Sequence, residues 1–256
     1  MHFRLIDATA ELLARCRRAD TCGEVPLDQI TSEQEAEEIQ LAALDALGFD
    51  RKGYSIVGSS GESRRTLGLS KPLFSAVPAS AYYSSGARIR LPWGTIGAQC
   101  EVAFTMLRTY PEEGEPINRT TAAEAILAYQ PAIGILGHRA KDRFLGDFAA
   151  IADFGLHVAT VLGDYVAIVD QKALANVEVN TFLFKSAMVH GALNTIFNHP
   201  LDALVWLASE LSVRRRQLQP NEVVTTGSCT TILQVIPGQH LAAEFGALGQ
   251  VECLFE

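Results

Sequence analysis

Near the start of the chain, apolar residues recur at helical spacing in two stretches. Between Asp7 and Ala19, Leu12, Leu13 and Cys16 share one face and Arg15, Arg17 and Arg18 fall outside it, which predicts an amphipathic helix. Ser32-x-x-Glu35 reads as a capping box. Ala36, Ile39, Ala43 and Leu47 then keep helical spacing, and Gly48 fits the position just past a helix C-terminus. From Gly53 onward the pattern changes to short β runs broken by Gly, Pro and Ser. Strands are predicted over Tyr54–Val57, Arg88–Leu91, Glu101–Leu107, Ala132–Leu136 and Val158–Leu162. Five more follow over Tyr165–Val169, Val177–Phe184, Glu222–Thr226, His240–Phe245 and Gln250–Phe255. Two helices interrupt them, one capped by Thr121-x-x-Glu124 and running through Tyr129, the other opened by Pro200 and running through Leu211. The pattern predicts an α+β fold. A helical N-terminal part over residues 1–50 precedes a β-rich domain over 51–256, with a rolled or barrel-like mixed sheet and flanking helices.

Composition narrows the partners. The 256 residues are 48% hydrophobic, enough for one large core, and carry a net charge of −8. That charge argues against a nucleic-acid or anionic-membrane surface. The five cysteines are scattered with no CxxC pair, so neither a zinc knuckle nor a disulfide framework is indicated and a reducing compartment fits. No long apolar run spans a bilayer, and Asp7 and Glu11 interrupt any signal-peptide pattern. The expectation is a soluble cytoplasmic protein.

Local chemistry signals are sparse. Gly58-Ser59-Ser60-Gly61 matches neither a nucleophile elbow nor a phosphate loop, and no well-capped helix is predicted after it, so it reads as a loop. None of the six histidines forms an HxH or HxxxH pair. His199, before Pro200, reads as a helix N-terminal residue. His138 stands apart because it follows an apolar strand and neighbours Arg139, which with Lys141 and Arg143 makes a basic loop. A guanidinium there could grip a planar carboxylate.

The segment from Leu218 to Ser228, continued by Pro237-Gly238 and by the run from Glu244 to Val251, resembles the closing part of the fumarylacetoacetate hydrolase superfamily. The nearest branch is that of 2-keto-4-pentenoate hydratase and 4-oxalocrotonate decarboxylase. Other segments match in order: Gly53 to Pro72, Gln99 to Phe104, Pro131 to Arg139, Ile151 to Gly163, and the run from His199 to Ala208. The resemblance implies that superfamily's mixed β roll and an activity on 2-oxo or 2-hydroxy-dienoic acids. It also implies Mg²⁺ or Mn²⁺ held by an ExE pair and a third glutamate.

Carried over position by position, this chain departs from that pattern. The family lysine falls at Ser55 and an aspartate at Ser80. The first ExE glutamate is Gln99, Glu101 is the one retained metal-ligand position, and the third glutamate is Gly134. An asparagine and a serine become Phe154 and Leu156, whereas Arg139 and Asp153 match. Ligand counting leaves no standard metal site and at most weak Mg²⁺ or Mn²⁺ binding. The expectation is therefore a lyase-like protein with no cofactor, acting on a small carbonyl acid by hydration, tautomerisation, decarboxylation or cyclisation. Glu101, His138 and Asp153 are the candidate acids and bases. Gln99, Arg139, Phe154, Thr226 and Ser228 are the candidate substrate contacts. The alternatives are an inactive member that binds a ligand or a related partner subunit, and an ordinary metal-dependent hydratase. The family also implies a homo-oligomer or a hetero-complex.

Overall fold

In the computed structural model, residues 2–48, 50–141, 146–167, 169–184 and 186–256 are described. Two helices come first, α1 (His2–Ala19) and α2 (Glu33–Ala46). Ser32 caps α2, its hydroxyl accepting from the Glu35 N–H at 3.2 Å. The Glu35 carboxylate does not close the box on Ser32; it takes the backbone N–H and hydroxyl of Thr31, each at 3.0 Å. Gly48 adopts φ +71° just past α2, the left-handed turn that glycine tolerates without cost.

The strands and helices that follow are β1 (Arg51–Val57), α3 (Gly61–Leu67), β2 (Leu73–Pro78), β3 (Tyr82–Ser84), β4 (Ala87–Ile89) and β5 (Thr95–Met106). Then come α4 (Arg119–Glu124), β6 (Ile126–Gly137), α5 (Asp147–Ala152), β7 (His157–Leu162), α6 (Gln171–Leu174) and β8 (Glu178–Leu183). The chain closes with β9 (Ser186–Ala192), α7 (Pro200–Val213), β10 (Val223–Thr225), β11 (His240–Glu244) and β12 (Gln250–Phe255). A seven-stranded mixed sheet has the order β2-β1-β10-β5-β6-β7-β3, and a five-stranded sheet the order β4-β12-β11-β8-β9. The α+β class and the rolled, mixed sheets expected from the strand pattern are what the chain forms. One apolar cluster joins Leu13 of α1, Ile39 of α2, Phe104 of β5, Leu204 of α7 and Phe255 of β12. Both sheets and the helices therefore bury their apolar faces together. No described helix is long and apolar enough to cross a membrane.

Several local expectations are corrected. The segment predicted as a helix from Thr121 through Tyr129 is a short helix, α4, that gives way to β6 at Ile126. Asn118 is the cap, accepting from the N–H groups of Thr120 and Thr121 at 2.9 and 3.2 Å, and the Thr121 hydroxyl returns the bond to the Asn118 N–H at 3.3 Å. Pairing with β5 claims the residues beyond. The predicted strand Tyr165–Val169 reduces to a bridge between Val166 and Tyr129, and Ile168 lies outside the described residues. The Gly58–Gly61 segment is a helix start, because Ser60 and Ser63 form a reciprocal capping box for α3. Strands β2, β3 and β9 carried no readable pattern of their own. Finally, Arg17 does not project into solvent; it is half-buried with its guanidinium 4.6 Å above the Phe154 ring.

Candidate active site

The longest strand pair, β5 and β6, places Gln99 opposite Gly134 and Glu101 opposite Ala132. Alternation puts Gln99, Glu101, Ala103 and Thr105 on one face of β5, away from the apolar core side formed by Cys100, Val102 and Phe104. Lateral register extends this face into a polar row, with Ser75 of β2 beside Ser55 of β1, Ser55 beside Thr225 of β10, and Thr225 beside Ala103. The Thr225 hydroxyl donates to Ser55 Oγ at 3.2 Å. Both Gln99 and Glu101 are completely buried.

Glu101 Oε2 accepts from the Gly227 N–H at 2.9 Å, while Oε1 has no hydrogen-bond partner. Gly227, at φ +79°, is where the chain turns after β10 to bring its N–H onto the carboxyl. Burial pushes Glu101 up to about 8, opposed by the Gly227 N–H and the Thr225 hydroxyl. At neutral pH Glu101 is thus the uncharged acid. With Oε2 held as acceptor, the proton sits on Oε1. Beside it, neither the nitrogen nor the oxygen of the Gln99 amide has a partner.

The room for this pair is made by Gly134. A Cβ at that position would stand 2.3 Å from Glu101 Oε1 and 3.3 Å from Gln99 Cγ. We expect Gly134→Ala to push the carboxyl off Gly227 and to cost about 1–3 kcal/mol, the range for overpacking a close-packed interior. A urea midpoint equal to wild type would show that the carboxyl was free to move aside.

Raised acidity also fixes a pH dependence. The folded state keeps a proton on Glu101 that the unfolded chain releases in the ordinary carboxylate range. The stability contribution is complete below that range and is lost as pH rises toward about 8. The limiting slope is about 1.4 kcal/mol per pH unit. Between pH 5 and pH 8, wild type should lose stability relative to Glu101→Gln, measured by urea unfolding at each pH. Parallel curves would contradict the assignment.

A second cluster forms where α5 ends. Asp153 Oδ2 accepts from the Arg139 backbone N–H at 2.6 Å, and its Oδ1 lies 3.3 Å from the Arg139 guanidinium. That guanidinium also donates to the carbonyls of Gly137 at 2.9 Å and His157 at 2.5 Å, and stands 5.3 Å from the Phe154 ring centroid. The next three residues, Phe154, Gly155 and Leu156, all have positive φ of 54°, 59° and 62°. For the two non-glycine residues this left-handed backbone costs roughly 1–2 kcal/mol each. Gly155 packs against Ser75; a Cβ there would meet Ser75 Cβ and Oγ at 3.0 Å.

A cavity of about 350 Å³ opens beside this turn. Leu67, Ile96, Leu156 and Val235 supply apolar wall, and His138 and Asp153 supply polar groups. His138 Nδ1 donates to the Ala140 carbonyl at 2.6 Å, which fixes the ring orientation and leaves Nε2 as the other ring nitrogen.

The sequence-derived candidates thus fall into two groups. Glu101 and Gln99 meet under Gly227; His138, Arg139, Asp153 and Phe154 gather around the end of α5. Thr226 and Ser228 turn their hydroxyls to the carbonyls of Val102 (2.9 Å) and Thr230 (2.6 Å), and the Gly227 N–H between them makes the contact with Glu101. Lys141 pairs with Glu24 at 2.7 Å, and Arg143 lies outside the described residues. Sequence reasoning missed Thr225, whose alternation with the apolar Val224 on β10 could have revealed it. It also missed His157, which donates to or accepts from Thr160 Oγ1 at 2.9 Å and is pushed well below the usual imidazole range by burial and by Arg17 and Arg139. A lone buried histidine leaves no pattern in sequence.

The donor chemistry tests whether the metal that the resemblance implies suits these residues. A hard divalent cation prefers several anionic or carbonyl oxygens. The β5–β6 face offers one carboxyl, one amide and the space at Gly134 that the carboxyl already fills. Among the described residues no three His, Cys, Asp or Glu side chains form a ligand set. These residues do not fit a tightly held Mg²⁺ or Mn²⁺.

Comparison with known proteins agrees with the fold. The chain is 21% identical over 218 residues to the 2-oxo-hept-4-ene-1,7-dioate hydratase of Escherichia coli, covering 82% of this chain and 80% of the relative. The 4-oxalocrotonate decarboxylase of Pseudomonas putida G7, solved with magnesium and adipate, superposes with a TM-score of 0.85 at 18% identity, over 98% of this chain and 97% of that one. The fumarylpyruvate hydrolase of Pseudomonas aeruginosa, solved with Mn²⁺ and pyruvate, gives 0.57 at 14% identity, over 81% and 89%. No family model matches the chain.

Proposed function

We propose, for a chain of the fumarylacetoacetate hydrolase superfamily that resembles its hydratase and decarboxylase branch, a lyase- or isomerase-type reaction on a small enolisable carbonyl acid without a resident divalent metal. One observation carries the reading: Glu101 Oε1 and both polar atoms of the Gln99 amide are buried side by side with no partner. Unpaired buried polar groups cost about 1–3 kcal/mol each; a ligand carbonyl oxygen would satisfy the Glu101 O–H and the Gln99 N–H, and a ligand hydroxyl the Gln99 carbonyl.

In this reading the neutral Glu101 carboxyl and the Gln99 N–H donate to the substrate's 2-oxo oxygen. They polarise it as a cation would elsewhere, and a protonated buried carboxyl is a known way to do so. His138 Nε2 or Asp153, both lining the cavity of about 350 Å³, takes the proton from the carbon next to the carbonyl. The electron pair moves to the oxygen, where Glu101 hands over its proton to give the enol. Leu156 lines the cavity, and its neighbour Gly155 packs on the polar row. The strained Phe154–Leu156 turn is therefore the element whose shift admits substrate.

A second reading follows from the complete burial of Glu101 and Gln99: a member of the fold that binds an acid or a related subunit without turnover. Absorbance assays with 2-hydroxy-2,4-dienoates on chelator-treated protein separate the readings. Turnover that persists, and does not rise on adding Mg²⁺ or Mn²⁺, supports the metal-free enzyme. Activity that requires the metal overturns it. Saturable binding with no turnover in either state favours the second reading.

A further inference from the structure

A second cavity, of about 490 Å³, lies on the other side of Arg139, between the C-terminal end of α1, Leu47, Gly48 and Asp50, residues 78–83 and the start of β7. His138 lines both cavities. Otherwise the Arg139–Asp153 ion pair forms part of the wall between them, with Asp153 facing the first and Arg139 the second.

The charge in this second cavity is unbalanced. Arg17, Arg18, Arg90 and Arg139 line it, against two carboxylates, Asp20 and Asp50. The imbalance is sharpest at its base. The guanidinium groups of Arg17 and Arg139 both stand over the Phe154 ring, at 4.6 and 5.3 Å from its centroid. Both also donate to the same carbonyl, that of His157, at 3.2 and 2.5 Å. Arg139 has Asp153 as counter-charge. The hydrogen bonds of Arg17 go to the backbone carbonyls of His157 and, at 3.5 Å, Val158, and no described carboxylate forms an ion pair with it. Burial and the neighbouring charge of Arg139 weaken its hold on its proton. Of the carboxylates lining the cavity, Asp20 stands 3.8 Å from Arg90, and among the described residues neither Asp20 nor Asp50 forms an ion pair with Arg17. Two like charges in contact with one counter-charge, in a chain of net charge −8, call for an anion from outside.

We propose that this cavity is a binding site for a small oxyanion-bearing ligand, seated on the guanidinium groups of Arg17 and Arg139. The shared chemistry is a carboxylate or phosphate group able to take a guanidinium fork, with Arg18 and Arg90 drawing it in from the rim. The site does not rest on the reaction proposed for the first cavity.

Calorimetric titration of the full chain at low ionic strength, with inorganic phosphate in one series and succinate in another, tests it. Saturable one-to-one binding of either is expected; the tighter anion identifies whether phosphate or carboxylate is the natural group. Arg17→Gln should weaken that binding by about tenfold or more, the loss of one charge-assisted contact. Absence of saturable binding by both anions overturns the proposal, as does unchanged affinity in Arg17→Gln. Should Arg17→Gln not fold, the double variant Arg18→Gln/Arg90→Gln decides, since both side chains are on the surface. It should weaken binding and flatten its salt dependence, and an unchanged titration overturns the proposal.

Discussion

Replacing Asp153 by alanine is expected to destabilise the protein by about 3–5 kcal/mol, the usual loss when one partner of a buried ion pair is removed. The carboxylate is 2% and the guanidinium 5% exposed, so water cannot take over for either. Two bonds are lost together, because Asp153 also accepts the Arg139 backbone N–H. The stranded guanidinium would then face Arg17 with no counter-charge, which adds repulsion to desolvation. Asp153→Asn keeps an acceptor for the backbone N–H and should lose less. In Arg139→Met/Asp153→Ala the buried charge disappears with its partner, so the double variant should be more stable than the sum of the single losses predicts. Urea unfolding of the four proteins at pH 7 measures the cycle. A cost below about 1 kcal/mol for Asp153→Ala, the range of exposed pairs, would show that the pair is solvated in solution.

That pair illustrates which parts of the molecule were legible in the sequence. Arg139 and Asp153 could be nominated from motif positions, but not their mutual contact, which depends on the chain reversing after α5. The strands β5, β6, β7, β8, β11 and β12 announced themselves because each buries a continuous or alternating apolar set. By contrast β3 is three residues long and β2 ends in proline, so their pairing comes from neighbours rather than from intrinsic pattern. The helix predicted through Tyr129 failed because tertiary pairing with β5 outweighed local spacing. The Ser60 cap was invisible because its reciprocal partner is Ser63, not the Glu or Gln of the usual box. Within the site, Gln99 and Glu101 were nominated by the family resemblance, and strand alternation placed the two positions on one face. The role of Gly134 as the space that holds their side chains required the register. Arg17 was placed on the solvent side of α1 because charge is the ordinary mark of an exposed face. Its burial over Phe154 follows from the left-handed turn at 154–156, which no local pattern encodes.

Glu101→Gln should lower kcat/KM on a dienoate substrate by about 10²–10⁴, the contribution of a positioned acid or base, while leaving the fold intact. Glutamine matches glutamate in shape. Its carbonyl oxygen can keep the Gly227 N–H at the 2.9 Å contact, and its amide N–H can still donate from the position of Oε1. What it cannot do is release a proton to the enolate oxygen. The variant therefore separates hydrogen-bond donation from proton transfer. Substrate affinity should change little while kcat falls, because the polarising bond survives and the transferable proton does not. Stability at pH 8 should rise, since the amide removes a group that burial holds near 8 and that the unfolded chain prefers to ionise. Loss of activity combined with a gain in stability is a pairing that a merely structural carboxyl would not give. A structural Glu101 would predict the reverse for activity, with turnover retained in Glu101→Gln, and that outcome would remove Glu101 from the chemistry.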